Sequence, residues 1–142
     1  FSVFVNELQN SFKDYSDGKF RLIQDADRGH LQLHWDVPTG SPELPFSVDF
    51  TTTRFQRRAR SAHGELLYKA TGLHKKKSKT AQSNNIWDFT GGIGRDAYIL
   101  AAAGCKVTIF ERNPVLFALL YDGILRLRRM EDIRDRTSRI SD

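Results

Sequence analysis

At 142 residues the chain can bury one ordinary core, and its 39% hydrophobic and 27% charged content is that of a globular protein, not a disordered one. No apolar run approaches the roughly 20 residues of a membrane span, and no charged-then-apolar secretory signal follows Phe1. Cys105 is the single cysteine, which excludes an intrachain disulfide and a cysteine metal cluster and fits a cytoplasmic location. The net charge of +5 is concentrated: residues 54–79 hold 9 basic residues against Glu65, while residues 1–53 hold 4 basic and 8 acidic ones. Such a block suggests a polyanionic partner, nucleic acid first, or else a solvated linker.

Residues 1–50 read as a small β-rich N-terminal subdomain. Phe20-Arg21-Leu22-Ile23 is a short strand, and His30-Leu31-Gln32-Leu33-His34-Trp35 alternates as a half-buried strand does. Asp27-Arg28-Gly29 is the expected turn between them. Pro38, Gly40, Pro42 and Pro45 break regular structure before Phe46-Ser47-Val48-Asp49-Phe50 resumes as a strand. His30 and His34 share a strand face without an acidic partner in register, so no metal site is expected.

Residues 51–84 read as a basic helix and loop. Phe55, Ala59, Ala62, Leu66 and Ala70 mark one helical face, and Gly72 suits a left-handed stop. Lys75-Lys76-Lys77-Ser78-Lys79 and Ser83-Asn84-Asn85 read as an exposed loop. Residues 85–142 form the first βαβα half of an α/β domain. Ile86-Trp87-Asp88-Phe89 is a strand, with Trp87, like Trp35, a core residue. A helix over Arg95 to Ala103 ends at Gly104, and Lys106-Val107-Thr108-Ile109-Phe110 is the pattern of a buried parallel strand. Asn113-Pro114 supplies an N-cap and an N1 proline for a second helix, striped by Leu116, Leu119, Leu120 and Leu127 with Gly123. The crossover is expected to be right-handed.

In such a Rossmann-like sheet, ligands sit at the carboxyl ends of the strands, beside the first βα turn. Gly92 and Gly94 lie in that turn, where the missing Cβ allows close backbone approach. Glu111 ends the next strand 17 residues after Gly94, placed to accept both hydroxyls of a ribose. Asp88 closes the first strand, where its charge can sit near a cationic group. Gly92-Ile93-Gly94-Arg95-Asp96-Ala97 also matches a G-x-G-x-x-A dinucleotide fingerprint, so an NAD(P)-dependent oxidoreductase is a rival reading. Against it, a pyrophosphate prefers bare helix N-terminal amides, and Asp96 puts a carboxylate in that first turn. S-adenosyl-L-methionine carries no phosphate and has an amino-acid tail, which suits D-x-x-x-G-x-G better.

Trp87 to Ala97, Ala103-Gly104-Cys105 and Glu111-Arg112-Asn113-Pro114 together resemble the RsmJ-type bacterial small-subunit (16S) rRNA (guanine-N2)-methyltransferases, a class I S-adenosylmethionine-dependent family. The similarity runs from about Val48 to Asp132, with Val48-Asp49-Phe50 and Arg57-Arg58 in its lead-in. Residues 1–45 show no match to it, and Ala59-Arg60-Ser61-Ala62-His63 stands where that family is small and glycine-rich.

The resemblance implies cofactor contacts at Arg95, Asp96, Glu111 and Arg112. By charge alone, Asp96 suits the amino end of the methionine moiety and Arg95 its carboxylate. The resemblance also implies methylation of a guanine in ribosomal RNA, as naked RNA or in the small ribosomal subunit. Arg54, Arg57, Arg58, Arg60, Lys75, Lys76, Lys77 and Lys79 would then meet RNA phosphates. The family's acceptor-side Asp-Pro-aromatic motif is absent, so no catalytic residue is assigned in this chain, which reads as a fragment of a longer enzyme. A noncatalytic RNA-binding module that keeps the methyltransferase fold is a further alternative. Oligomeric state is not legible.

Overall fold

The computed structural model describes residues 20–35, 45–73 and 84–138. The breaks expected at Pro38, Gly40 and Pro42, and Lys75, Lys76, Lys77 and Lys79, lie outside the described residues. By spatial proximity the chain forms two units, Phe1–Asp49 with Asn113–Asp142, and Phe50–Arg112. The segments expected from composition, 1–50, 51–84 and 85–142, divide the chain differently, since the last helix groups with the N-terminal residues.

In the first unit, β1 (Phe20–Gln24) and β2 (Leu31–Trp35) form an antiparallel hairpin with Leu22 opposite Leu33. The alternation puts Leu22, Leu31 and Leu33 on one face, and Leu22 and Leu31 are buried. The connection is built by Asp25: its Oδ1 accepts the N–H groups of Asp27 (2.9 Å) and Arg28 (2.8 Å), and its carbonyl accepts that of Gly29 (2.8 Å). These bonds, Arg28's first, hold the Asp25 carboxyl below the usual carboxylate range.

The strand expected over Phe46–Phe50 is reduced to one bridge, Phe46 to Leu33. Its backbone is satisfied elsewhere. The Val48 carbonyl accepts from the Arg126 guanidinium, and the Phe50 carbonyl accepts from Gln56 (3.0 Å). The long helix of this unit, Pro114–Ser138, starts at Asn113, whose Oδ1 accepts the N–H groups of Val115 (2.9 Å) and Leu116 (3.2 Å). Val115, Ala118, Leu119 and Leu120 are buried on it, while Leu116 and Leu127 of the expected stripe are half-buried. Asp122 is buried too, and accepts from the Leu31 N–H (3.1 Å) and Arg126 Nε (2.9 Å).

In the second unit the single helix expected from Phe55 to Gly72 is broken. α1 (Thr53–Arg60), a 3₁₀ turn (Ala62–Gly64) and α2 (Leu66–Ala70) replace it. Glu65 between them is extended, with φ −64° and ψ 139°, and its carboxylate is held by Arg58. The break rotates the faces: Ala62 and Tyr68 are buried, whereas Leu66, expected on the buried stripe, is 81% exposed. Gly72, with φ +72°, follows the end of α2 as expected.

β3 (Asn85–Asp88) pairs in parallel with β4 (Lys106–Ile109), joined through α3 (Arg95–Ala102). Ile86 and Val107 pack on Ile99, Leu100, Ala103 and Cys105. Burial also pushes the Cys105 thiol up. The other sheet face is open. Trp87 is 64% exposed and Phe89 68%, so the expectation of a core Trp87 and a fully buried parallel strand is corrected. Helices of this unit cover one sheet face, and strand alternation sends Trp87, Phe89 and Phe110 to the opposite one. There Phe89 and Phe110 stack at 4.9 Å. No helix among the described residues is long and apolar enough to cross a membrane.

Candidate functional site

The turn after β3 is drawn against the end of β4 by two backbone bonds. Phe110 donates its N–H to the Asp88 carbonyl (2.8 Å), and its own carbonyl accepts the Gly91 N–H (3.0 Å). This close approach is why Gly91 carries no side chain. A Cβ there would overlap Ile109 Cγ2 and lie 3.1 Å from the Phe110 oxygen. Gly92 and Gly94 take φ of +52° and +74°, a region costly for other residues, and Gly94 caps α3. The turn closes on itself through Gly94 N–H to the Gly91 carbonyl (2.8 Å).

Glu111 leaves the end of β4 and returns to this turn, its Oε2 accepting the Gly92 N–H at 2.6 Å. That is slightly shorter than an ordinary N–H···O bond. Asp88 Oδ1 accepts from both the N–H (2.9 Å) and the hydroxyl (3.1 Å) of Thr90. Arg95 and Asp96 stand exposed on the first turn of α3, and Arg112 is exposed beside Glu111. The structure therefore joins Gly92 and Glu111 directly and sets Asp88 in the same turn. The Arg95, Asp96 and Arg112 side chains form no hydrogen bond or ion pair with another described residue, although, after Glu65, the Asp96 charge helps raise the Arg58 pKa. Thr90 and Gly91 lie within the same motif, and neither has a role legible in the sequence; the need for Gly91 shows only in the approach of Ile109 and Phe110.

Of the basic residues, Arg54, Arg57 and Arg60 are exposed on α1. Arg58 differs, because its fork is engaged by Glu65 at 3.1 and 3.0 Å. That bond raises the Arg58 pKa and holds the Glu65 carboxyl below its ordinary range. α1 is fixed through Phe50, Phe55 and Tyr98, whose rings lie 5.0–5.6 Å apart. Gln56 adds a bond to the Tyr98 hydroxyl (2.9 Å). No group of three or more potential metal ligands occurs among the described residues. His34 instead pairs with Gln32 (3.0 Å).

A family described as "Putative SAM-dependent methyltransferase" matches residues 7–141, which takes in residues 7–45, where the sequence alone showed no resemblance. The "Ribosomal RNA small subunit methyltransferase J" of Pseudoalteromonas translucida is 36% identical over 87% of this chain and 48% of its own length. That of Hahella chejuensis is 38% identical over 89% of this chain and 46% of its own. The chain thus spans about half the length of these relatives. Among solved structures, a SAM-dependent methyltransferase from Neisseria gonorrhoeae matches 78% of this chain and 40% of its own, with 32% identity and a TM-score of 0.57.

Proposed function

The chain belongs to this family of SAM-dependent methyltransferases, and from that premise we propose that Asp88 to Asp96 with Glu111 and Arg112 form the adenosylmethionine side of its active site. The Gly92–Glu111 bond carries the reading. It joins the glycine turn and the strand-end carboxylate at the carboxyl ends of two parallel strands, where an adenosyl ribose would be received. The donor set suits this cofactor: Glu111 would hold ribose hydroxyls, Asp96 the methionine amino group and Arg95 its carboxylate, with Asp88 near the cationic end. When bound, the cofactor supplies an electrophilic methyl group on a sulfonium. The chain's own part is to bind and orient it, and no residue here is assigned to the methyl acceptor.

The substrate we propose is small-subunit ribosomal RNA, methylated at a guanine N2. Support comes from the names of the relatives and from the exposed Arg54, Arg57 and Arg60 on α1. Arg58, already paired with Glu65, is the weakest of the proposed phosphate contacts. Titration calorimetry with S-adenosylmethionine tests the cofactor: Glu111→Ala should lose about ten- to hundredfold in affinity. Unchanged affinity would remove Glu111 from the site, and selective NAD binding would overturn the cofactor. For RNA, binding should fall steeply with salt, and Arg57→Ala should lower the salt slope by about 1. A flat salt response would remove the RNA-facing role of α1.

A further inference from the structure

We propose that Glu65 is a positioning residue for the cofactor: by holding the Arg58 guanidinium it keeps the Asp96 carboxylate open for the methionine amino group, a role that rests on the reading of Asp96 as a cofactor contact. α1 brings Arg58 up to the start of α3. Phe55, one turn earlier on α1, meets Tyr98 of α3 edge-on at 5.6 Å, and Gln56 donates to the Tyr98 hydroxyl (2.9 Å). Arg58 is three residues from Phe55 and shares its side of the helix. Two carboxylates then compete for one guanidinium, Glu65 from the helix break and Asp96 from the first turn of α3. Both act on it: the Glu65 hydrogen bond first, and the Asp96 charge with it, raise the Arg58 pKa.

The fork goes to Glu65, which accepts from Nε (3.1 Å) and Nη2 (3.0 Å) in the bidentate arrangement favoured by Arg and carboxylate. The Asp96 side chain, exposed, forms no hydrogen bond or ion pair with another described residue. Seven residues apart on a continuous helix, Arg58 and Glu65 would stand about 10.5 Å apart along the axis. The break, with Glu65 extended at φ −64° and ψ 139°, brings them into bidentate contact. A guanidinium released from Glu65 would turn to Asp96, the other carboxylate acting on it. An ion pair there would occupy the acceptor that the cofactor's ammonium needs.

Calorimetry with S-adenosylmethionine on the full chain tests this. Glu65→Gln keeps the shape and loses the charge, and affinity should fall about three- to fivefold, the worth of the part-exposed ion pair that Arg58 and Asp96 would then form. Adding Arg58→Gln removes the competing cation and should restore the affinity. A purely structural role for Glu65 in the helix break would leave the double variant as weak as the single one, so absence of recovery would overturn the proposal. In an Asp96→Asn background, Glu65→Gln should cause no further loss. A loss that persists there would mean that the Glu65 charge acts on the cationic cofactor directly, and would overturn the proposal as well. Unchanged affinity in Glu65→Gln, with Asp96→Asn weakened, would overturn it while leaving the cofactor reading standing. Unchanged affinity in Asp96→Asn would remove Asp96 from the cofactor site and the proposal with it.

Discussion

Arg126→Met should destabilise the first unit by about 3–5 kcal/mol, the cost of removing one partner from a buried ion pair. The Asp122 and Arg126 side chains are 8% and 13% exposed and meet at 2.9 Å. Arg126 also reaches the Val48 carbonyl and lies 3.8 Å from Asp49. Methionine retains most of the apolar stem, so packing is largely kept. What remains is a buried Asp122 carboxylate with the Leu31 N–H as its remaining donor from the hairpin, and a Val48 carbonyl without its guanidinium. Replacing Asp122 by Leu as well should recover part of the loss, since the stranded charge goes. Recovery stays incomplete because Leu31 and Val48 still lack partners, at about 1–3 kcal/mol each. Urea unfolding followed by Trp35 fluorescence in a Trp87→Phe background reads this unit. A shift below about 1 kcal/mol would show that the pair is replaceable.

Gly91→Ala should cost about 1–3 kcal/mol in the second unit, the range for an added group in a packed site. Its Cβ would meet a methyl branched directly from Cβ of Ile109, which cannot swing clear as the tip of a long side chain could. Retreat in the other direction stretches the Gly91 N–H bond to the Phe110 carbonyl, itself 3.1 Å from the new Cβ. The turn would shift with respect to β4, and Gly92 and Glu111 would lose register. S-adenosylmethionine affinity should therefore fall along with stability. Unaltered unfolding and unaltered calorimetry together would contradict this account.

Local rules carried much of the architecture. Alternation set the hairpin face, Asn113-Pro114 marked a helix start, and strand, glycine turn, helix and strand fell where their spacing put them. Failures came where a distant residue decided the outcome. Arg58 holds Glu65 and the helix breaks there, although Phe55, Ala59, Ala62, Leu66 and Ala70 keep helical spacing. Arg126 takes the Val48 carbonyl, and most of the strand over Phe46–Phe50 does not form. Trp87 is exposed against expectation because an apolar residue on a strand does not tell which sheet face is covered. Within the site, Gly92, Gly94 and Glu111 were legible from type and spacing. Gly91 was not, since its need arises from the approach of Ile109 and Phe110.

The first unit is discontinuous in the chain, and that has a consequence for the order of events during synthesis. Its bonds from Leu31 to Asp122 and from Val48 to Arg126 span 91 and 78 positions. The second unit lies wholly within Phe50–Arg112. As the polypeptide leaves the ribosome, that second unit is complete before the residues that lock the hairpin have been made. An isolated two-stranded hairpin is marginal in water. Leu22 and Leu31 therefore wait uncovered until Arg126 emerges, which is the interval in which a nascent chain is most exposed to misassociation.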